Sequence, residues 1–287
     1  MNYNKLLEGK KCVITAGTCG MGFSIASLFV RHGATVAICG RSAAGEDAAD
    51  ALREYNPDCF FVQCDMSNLK QVDYFADTVI NKFGNIDVIV NNVGINRKEL
   101  VKDIKEENYN LIMNTNINSA LLLTKKIIPY MNKNGSIINI SSMNSIAVSP
   151  TTGSYAISKG GLNSFTKVLS AELGKYSIRA NAICAGWIAT SDIKSCIDNI
   201  GKENAYEYLE SMQNTAPLIS PGKASDIASH ALFLASDMSS YITGYIMYSD
   251  GASIRQGHYF NYDNPQEAAQ IKKQHYDKIL NEFDEII

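Results

Sequence analysis

A serine, a tyrosine and a lysine near the middle of the chain have the types and spacing needed to move a proton onto or off a substrate oxygen. Tyr155 and Lys159 lie four residues apart in GSYAISKGG, and Ser142 lies thirteen residues before Tyr155. Side chains at i and i+4 share one helical face, and a nearby ammonium group favours the phenolate. We therefore expect Lys159 to lower the pKa of Tyr155 from its usual value of about 10. Such a tyrosine can exchange a proton with a carbonyl or alcohol oxygen held by Ser142, which is hydride-transfer chemistry if the chain also binds a nicotinamide dinucleotide.

The elements that must position these residues follow an alternation of short apolar runs and amphipathic segments. Strands are predicted at 11–16, 35–39, 59–64, 86–91, 136–140, 179–183 and 245–248. Helices are predicted at 21–32, 43–55, 68–83, 106–131, 154–175 and 224–236. Repeated strand–helix units with apolar strands indicate a parallel sheet covered on both faces. We predict an α/β fold in which residues 1–254 form one doubly wound, Rossmann-like domain of about seven strands.

Two segments stand outside the alternation. Residues 190–221 form a long mixed insert, which we expect to act as a substrate lid. Its apolar side chains are Ile193, Tyr206, Tyr208, Leu209 and Met212, and Trp187 lies just before the insert. Residues 255–287 are predicted to form a C-terminal helical extension, because Asn264, Pro265 and Glu267 make a helix start. Its apolar stripe comprises Tyr276, Ile279, Leu280, Phe283 and Ile287, and we expect it to dock on this chain or on a sister subunit.

Composition narrows the class of protein. Of the 287 residues, 46% are apolar and 19% charged, so a sizeable core is expected and disorder is not. A net charge of -3 gives no support for a nucleic acid or an anionic membrane as a partner. No apolar run approaches the roughly 18 residues of a spanning helix, so we expect a cytoplasmic protein without a membrane contact. The four histidines lack metal-ligand spacing, and no metal site is predicted.

The cysteines are expected to be reduced. The chain has seven, an odd number without a C-x-x-C pair, and Cys12, Cys39, Cys59 and Cys64 fall in strand-like runs. Buried free thiols in a reducing compartment are the simplest interpretation. Cys19 differs, because it lies in a glycine-containing turn that opens a helix, where a thiol can become redox-sensitive.

The turn after the first strand has the composition of a phosphate site. TAGTCGMG runs directly into a helix, and its glycines let the backbone approach a pyrophosphate that the helix N-terminus favours. The spacing departs from G-x-G-x-x-G, so an ordinary structural turn is the alternative. The predicted cofactor-binding residues here are Gly17, Thr18, Cys19, Gly20, Met21 and Gly22.

The residues after the next strands refine the cofactor. The second strand is followed by Arg41 and Ser42 rather than by an acidic residue, and a guanidinium suits a 2′-phosphate. We therefore expect NADP(H) to be favoured over NAD(H), with a solvated surface arginine as the alternative. Asp65 could cap the following helix instead of binding cofactor. Asn91 and Asn92 could tie neighbouring strands together as well as line the cofactor.

These motifs in this order resemble the short-chain dehydrogenase/reductase family, from about residue 6 to residue 252. The resemblance rests on TAGTCGMG, NNVG, Asn116 in MNTNINS, Ser142 in NISSMNS, Tyr155-x-x-x-Lys159 and CAGWIAT. It implies a Rossmann-like sheet with the substrate above its C-terminal edge, and homo-oligomers that are usually tetramers or dimers. A nicotinamide cofactor would supply the hydride, while the protein aligns it.

The resemblance also implies roles for single residues. Tyr155 would be the acid/base, Lys159 would lower its pKa and hold the nicotinamide ribose, Ser142 would position the substrate oxygen, and Asn116 would anchor a water in a proton relay. Asp65 and Met66 would contact adenine, Asn92 and Gly94 would line the ribose, and Gly186, Ile188 and Thr190 would line the nicotinamide end.

Two departures from the family pattern matter. Ala16 replaces a glycine usual in the first turn, and Ala185-Gly186 replaces a P-G pair after the sixth strand. The methyl group of Ala16 should tighten the turn without abolishing binding. The missing proline loosens the second bend, so the path of residues 187–190 is left open.

The substrate is a secondary alcohol or its ketone. Arg97 and Lys98 in NNVGINRK lie at the expected pocket mouth, where either could hold a carboxylate. With Asn144 in SMNS and Trp187 in GWIAT, this pattern resembles the gluconate 5-dehydrogenase and deoxygluconate dehydrogenase branch, so gluconate or 5-ketogluconate is the first expectation. A hydroxysteroid dehydrogenase and a 3-oxoacyl reductase are alternatives. A non-catalytic NADP-binding sensor or scaffold is the alternative from another class.

Overall fold

A parallel β-sheet organises the computed structural model, which describes residues 5–190, 216–218, 221–255 and 265–281, together with 204, 207, 209 and 210. Its seven strands run in the spatial order β3-β2-β1-β4-β5-β6-β9, and each neighbouring pair is parallel. They are β1 (Lys11–Ile14), β2 (Thr35–Gly40), β3 (Phe60–Gln63), β4 (Ile86–Asn91), β5 (Met131–Ser142), β6 (Arg179–Ala185) and β9 (Ile246–Ser249). The predicted doubly wound α/β sheet is confirmed.

Helices cover both faces of this sheet. They are α1 (Gly20–Arg31), α2 (Gly45–Arg53), α3 (Leu69–Phe83), α4 (Glu106–Met113), α5 (Ser119–Ile127), α6 (Gly153–Leu173), α7 (Ala224–Ala235) and α8 (Pro265–Asn281). One apolar core joins α1, α2 and α7 to the sheet, and a second joins α3, α5 and α6 to the opposite face. Because strand side chains alternate between faces, neighbouring β1 residues such as Cys12 and Val13 enter different cores. Fully buried phenylalanines such as Phe29 and Phe75 contribute about 1.5–3 kcal/mol each.

The predicted long helix at 106–131 was wrong in its middle and at its end. A π-helical turn, Asn114–Asn118, separates α4 from α5, and α5 ends at Ile127. Pro129 lies in the short 3-10 turn that follows, and a proline cannot donate the hydrogen bond that would continue the helix. Strand β5 then begins at Met131, five residues before the predicted start, and pairs with Ile86 through an irregular register.

Two short strands were not predicted. β7 (Ile188–Ala189) pairs with β8 (Gly222–Lys223) in a separate two-stranded sheet. The backbone N–H of Gly186 donates to Ser249 O at 2.8 Å, so the bend after β6 is held without the usual proline. A Cβ at Gly186 would lie 2.5 Å from the Cα of Asp250, which explains why a glycine stands there.

The predicted insert and tail are only partly described. Within 190–221, Leu209 is fully buried, whereas Ile193, Tyr206, Tyr208 and Met212 lie outside the described residues. Helix α8 begins at Pro265 as predicted, and Tyr276 on it is 4% exposed. Asn264 and the side chains of Ile279, Leu280, Phe283 and Ile287 lie outside the description. Among the helices described, none combines the length and the apolar character needed to cross a bilayer.

Candidate active site

The predicted serine, tyrosine and lysine meet at the C-terminal edge of the sheet. Ser142 is the last residue of β5, and Tyr155 lies in the first turn of α6, which packs against β5 and β6. The Ser142 hydroxyl lies close enough to the Tyr155 phenol to lower the pKa of that phenol. The Lys159 ammonium lies 5.8 Å from the centre of the Tyr155 ring and donates a 2.8 Å hydrogen bond to Ile140 O. The spacing of four residues therefore placed Tyr155 and Lys159 on one face of α6, as predicted.

Burial shifts both titrating groups. Burial raises the pKa of Tyr155, the neighbouring Ser142 hydroxyl lowers it by less, and the nearby Cys184 thiol raises it further. The pKa of Tyr155 is therefore above its usual value, and the predicted lowering by Lys159 was wrong. Burial also lowers the pKa of Lys159 to about 8, so the side chain is still largely protonated at neutral pH. Desolvation is the largest cause of both shifts.

Asn116 lies in the π-helical turn, where it joins three elements. Its Oδ1 accepts from the backbone N–H of Ile95 at 2.8 Å, and its Nδ2 donates to Ile95 O at 2.9 Å and to Ser158 Oγ at 3.0 Å. Ser158 Oγ in turn donates to Tyr155 O at 2.7 Å. Single π turns inside helices are frequent at functional sites. The Asn116 Nδ2 group donates both of its hydrogens to protein atoms, so a relay water would have to bind another polar atom of Asn116.

The turn between β1 and α1 fits a pyrophosphate. Cys19 is the N-cap residue of α1, is exposed, and makes no side-chain capping bond, so the helix N-terminus keeps N–H groups for an anion. Asn92 Nδ2 donates to Thr15 O at 3.0 Å and to Ala16 O at 3.2 Å, which ties the end of β4 to this turn. Asn91 Nδ2 instead donates to Asn139 and Thr124, so the strand-tying role expected of these two amides is present.

The three glycines of the turn between β1 and α1 differ in the space around them. A Cβ at Gly22 would lie 2.1 Å from Ala16 O, and a Cβ at Gly17 would lie 2.6 Å from Ile38 Cγ2, so neither position has space for a side chain. A Cβ at Gly20 would meet only Thr190, at 3.8 Å, so Thr190 lies above the turn. Met21 begins α1 beside it, and Thr18 packs toward Gly40 and Gly45.

Gly94 lies beside the buried ammonium group of Lys159. A Cβ there would lie 3.0 Å from Lys159 Nζ, so a side chain at this position would crowd the ammonium. Ile188 begins β7 and is 8% exposed. Three features together fit a nicotinamide dinucleotide. They are the uncapped N-terminus of α1, the space between Gly20 and Thr190, and the position of Gly94 beside Lys159.

The adenosine-side residues follow β2 and β3. Arg41 and Ser42 are exposed at the end of β2, and the described residues give the Arg41 guanidinium no ion pair. Asp65 does not cap α3: its Oδ1 accepts from the backbone N–H and the hydroxyl of Ser67, at 2.9 and 2.8 Å. Asn68 is the cap, which corrects the alternative considered for Asp65. The Met66 side chain is buried against Cys39 and Cys64, so any adenine contact from Met66 would come from its backbone.

Of the residues expected to contact substrate, Asn144 lies beside Ser142. The backbone N–H of Asn144 donates to Ser142 Oγ at 3.2 Å. Arg97 and Lys98 are exposed after β4. Trp187 lines a cavity of about 610 Å³ together with Leu218, His230, Tyr248 and Asp250, and its lining includes neither Ser142 nor Tyr155. A substrate contact by Trp187 stays a prediction.

The buried cysteines agree with prediction. Cys12, Cys39, Cys59 and Cys64 are buried free thiols, whereas Cys19 is exposed. Cys184, for which no role was predicted, contacts the active site by donating to Ser142 O at 2.8 Å. Among the residues that the structure describes, no group of histidines, cysteines and acids could hold a metal ion.

Sequence reasoning missed Ser145 and Asn163. Ser145 Oγ donates to Ser142 O at 2.6 Å and accepts from Asn163 Nδ2 at 2.8 Å. Helical spacing could have indicated Asn163, because it follows Lys159 by four residues and so shares its face. Nothing in the local sequence distinguishes Ser145 from the other serines of NISSMNS.

The parallel sheet, the glycine turn and the adjoining serine, tyrosine and lysine define a nicotinamide-dependent oxidoreductase. The chain belongs to the short-chain dehydrogenase/reductase family: a family model described as enoyl-(acyl carrier protein) reductase matches residues 15–252. The chain is also similar to the crystal structure of Cj0485 dehydrogenase, with a TM-score of 0.84 and 27% identity, over 91% of this chain and 100% of that one.

Several similar proteins have named activities. The 3-oxoacyl-[acyl-carrier-protein] reductase FabG of Chlamydia trachomatis is 40% identical over 250 residues, which cover 86% of this chain and 98% of that protein. The 3alpha-hydroxysteroid dehydrogenase of Mediterraneibacter gnavus is 32% identical over 253 residues, 86% of this chain and 98% of that protein. These relatives support the 3-oxoacyl and hydroxysteroid alternatives better than the gluconate branch that was expected first.

Proposed function

We propose that this protein is an NADP(H)-dependent reductase of 3-oxoacyl thioesters, with Tyr155 as the general acid. The observation that carries the substrate class is the 40% identity to a 3-oxoacyl reductase along 98% of that protein's length. The reaction itself is supported by the Ser142 hydroxyl, which lies close enough to lower the pKa of the Tyr155 phenol, and by the buried Lys159 ammonium beside them.

The bound cofactor would supply a hydride to the carbonyl carbon. Ser142 would donate a hydrogen bond to the carbonyl oxygen, and the Tyr155 hydroxyl would donate the proton that this oxygen takes up. The raised pKa of Tyr155 keeps the phenol protonated at neutral pH, which suits an acid in the direction of ketone reduction. Lys159 would place positive charge near the developing negative charge on the oxygen.

The chain's own residues would hold the cofactor at three places. Backbone N–H groups at the start of α1 would bind the pyrophosphate. Lys159, beside the open position at Gly94, would bind the nicotinamide ribose. Arg41 would bind a 2′-phosphate, because it is exposed at the end of β2 where an acidic residue would select NAD(H).

A hydroxysteroid is the second candidate substrate. Its support is the 32% identity to a 3alpha-hydroxysteroid dehydrogenase. In addition, Ile146 and Val148, on the segment that follows Ser142, are 50% and 68% exposed and could cover an apolar ketone. A sugar acid held by Arg97 is retained only as a comparison, because the named relatives favour the other two.

The test is NADPH oxidation by the full-length protein with acetoacetyl-coenzyme A, a 3-ketosteroid and 5-ketogluconate. We expect turnover with the thioester to be highest, and Tyr155→Phe to lose at least about 100-fold in kcat. Tyr176→Phe is the matched control, because Tyr176 is 54% exposed at the far end of α6.

These measurements test the substrate class, the acid role of Tyr155 and the assignment as an enzyme separately. Preference for the steroid or the sugar acid would replace the substrate class while leaving the chemistry in place. Full activity of Tyr155→Phe would remove the acid role of Tyr155. Tight NADPH binding without turnover of any ketone would favour a cofactor-binding sensor or scaffold instead of an enzyme.

The proposed function also includes an oligomeric state and a cellular location. We place the protein in the cytoplasm as a homotetramer, with residues 255–287 adding to an interface or to the chain's own surface. Light scattering of the full chain and of a variant truncated after Arg255 measures whether assembly depends on the tail. An unchanged mass would exclude the tail as an essential interface.

A further inference from the structure

The carbonyl oxygen of Ser142 is held by two side chains from outside its own strand. Ser142 ends β5 with extended backbone, and the chain then enters a 3-10 turn at Met143–Ser145. Ser145 Oγ donates to Ser142 O at 2.6 Å, and Cys184 Sγ on β6 donates to the same oxygen at 2.8 Å. Ser142 is also paired with Ala185 of β6, so these two side-chain contacts add to the sheet pairing in fixing the end of β5.

Asn163 fixes Ser145 in turn. Its Nδ2 donates to Ser145 Oγ at 2.8 Å, so the Ser145 hydroxyl has its proton left for Ser142 O. Asn163 follows Tyr155 by eight residues on α6, so the acid and the distal amide share one helical face. Asn163 is 8% exposed.

The contact between Asn163 and Ser145 lowers the stability of the protein, because it requires the Asn163 amide oxygen to be buried. Within the part of the chain that the structure describes, Asn163 Oδ1 is buried without a hydrogen-bond partner. A buried acceptor without a partner lowers stability, and an apolar residue would avoid that loss. The amide is thus better explained by what its donor nitrogen does for Ser145 than by packing.

We propose that Asn163 and Ser145 are positioning residues, which act through the Ser142 carbonyl to aim the Ser142 hydroxyl at Tyr155 and the substrate oxygen. The inference rests on the proposed function, because it presupposes that Ser142 and Tyr155 handle the substrate oxygen. Neither residue is among those that we propose to contact substrate or cofactor. Their contribution is orientation, which is transmitted by two consecutive hydrogen bonds.

The first experiment is a double-mutant cycle measured with NADPH and acetoacetyl-coenzyme A. We expect Ser145→Ala and Asn163→Leu each to lower kcat by about 10- to 100-fold, because a small misplacement of a catalytic group is enough to do so. The Kd for NADPH should stay within about 2-fold, since neither residue is in the cofactor cleft. In a Ser142→Ala background, Ser145→Ala should cost less than about 2-fold, because the hydroxyl that it aims is already gone.

Two variants control for non-specific damage. Ser145→Thr keeps the hydroxyl and should restore most of the activity lost in Ser145→Ala. Ser164→Ala removes an exposed serine next to Asn163 and should leave kcat unchanged. If Ser145→Ala does not fold, Asn163→Leu carries the same cycle, because it removes the donor while preserving approximate size.

The pH profile of alcohol oxidation supplies a readout that a purely structural role would not move. The Ser142 hydroxyl lowers the pKa of Tyr155, so moving that hydroxyl away should shift the midpoint of the oxidation profile to higher pH. The other titratable groups at Tyr155 are Lys159 on α6 and Cys184 on β6, and both are retained in Ser145→Ala. A lower melting temperature with an unmoved midpoint would overturn the inference.

The result distinguishes this inference from the proposed function. If Ser142→Ala and Tyr155→Phe are impaired but Ser145→Ala and Asn163→Leu are not, the positioning role is wrong and the reaction assignment stands. Additive losses in the cycle would also overturn the positioning role. If Tyr155→Phe keeps full activity, the reaction assignment fails and takes this inference with it.

Discussion

Lys159 Nζ lies 5.8 Å from the centre of the Tyr155 ring and donates its hydrogen bond to Ile140 O on the neighbouring strand. The lysine is 3% exposed, and burial brings its pKa to about 8. A positive charge is therefore kept in a desolvated place, where by our proposal it would contact a ribose hydroxyl and stabilise negative charge on a substrate oxygen. The buried charge of Lys159 lowers the stability of the native state at neutral pH.

Replacing this lysine should change how stability depends on pH. Below pH 8 Lys159 is protonated in both states, so the buried charge destabilises the native state fully. Between pH 8 and the ordinary value of 10.5 the native state loses the proton first, and wild-type stability rises. We expect the free energy of unfolding of Lys159→Met, relative to wild type, to fall by about 2 kcal/mol between pH 7 and pH 9.5. Urea unfolding of cofactor-free protein at both pH values measures this gap, and a constant gap would contradict a depressed pKa.

A methyl group at Gly94 should weaken cofactor binding through Lys159. Its Cβ would lie 3.0 Å from Lys159 Nζ, so the ammonium must move by a few tenths of an ångström. We expect Gly94→Ala to raise the KM for NADPH by about 10-fold, because the ribose contact depends on that position. Gly174→Ala is the matched control, since nothing lies within 4 Å of its Cβ and its φ is -54°. Equal KM values for the two variants would argue against a ribose site here.

Arg41 should determine the preference between the two dinucleotides. Arg41→Ala removes the guanidinium that would pair with a 2′-phosphate, so the KM for NADPH should rise by about 10-fold while that for NADH stays nearly constant. Steady-state kinetics with both cofactors checks this. Arg31→Ala, on the far end of α1 against Tyr55, serves as the control. An unchanged preference for NADPH in Arg41→Ala would exclude Arg41 as the selecting residue.

The first turn should become more stable when a glycine is restored. Ala16 has a φ of 50°, in the left-handed region, where an alanine is less stable than a glycine by about 1 kcal/mol. We expect Ala16→Gly to raise the free energy of unfolding by about that amount and to raise the melting temperature. Ala48→Gly, in the middle of α2, should lower it by a similar amount because glycine disfavours a helix interior. A loss of stability in Ala16→Gly would show that the Ala16 methyl group makes a contact of its own.

The sequence predicted the sheet well because apolar strands and amphipathic helices leave a strong periodic signal. All seven predicted strands appear in the main sheet, although Met131 starts β5 earlier than the apolar run indicated. β7 and β8 left no signal, because two-residue strands are too short for periodicity. The break at Asn114–Asn118 also went unseen, since a π turn preserves the helical pattern on either side.

The site was predictable where function depends on residue spacing along one helix. Tyr155 and Lys159 followed from this rule, and Asn163 would have followed from extending it by one turn. The direction of the Tyr155 pKa shift could not be derived, because it depends on how deeply the ring is buried. The Cys184 contact with Ser142 O is tertiary, because it comes from a neighbouring strand, and the Ser145 contact is local but depends on the 3-10 turn that follows β5.

The π turn at Asn114–Asn118 means that this stretch holds one residue more than regular α-helical winding requires. Loss of one residue there would leave a smooth helix of good propensity, so the chain would still fold. It would nevertheless rotate every later side chain by about 100° relative to the preceding ones, turning the Asn116 amide away from Ile95 and Ser158. The length of this segment, and not only its composition, is thus part of the chemistry.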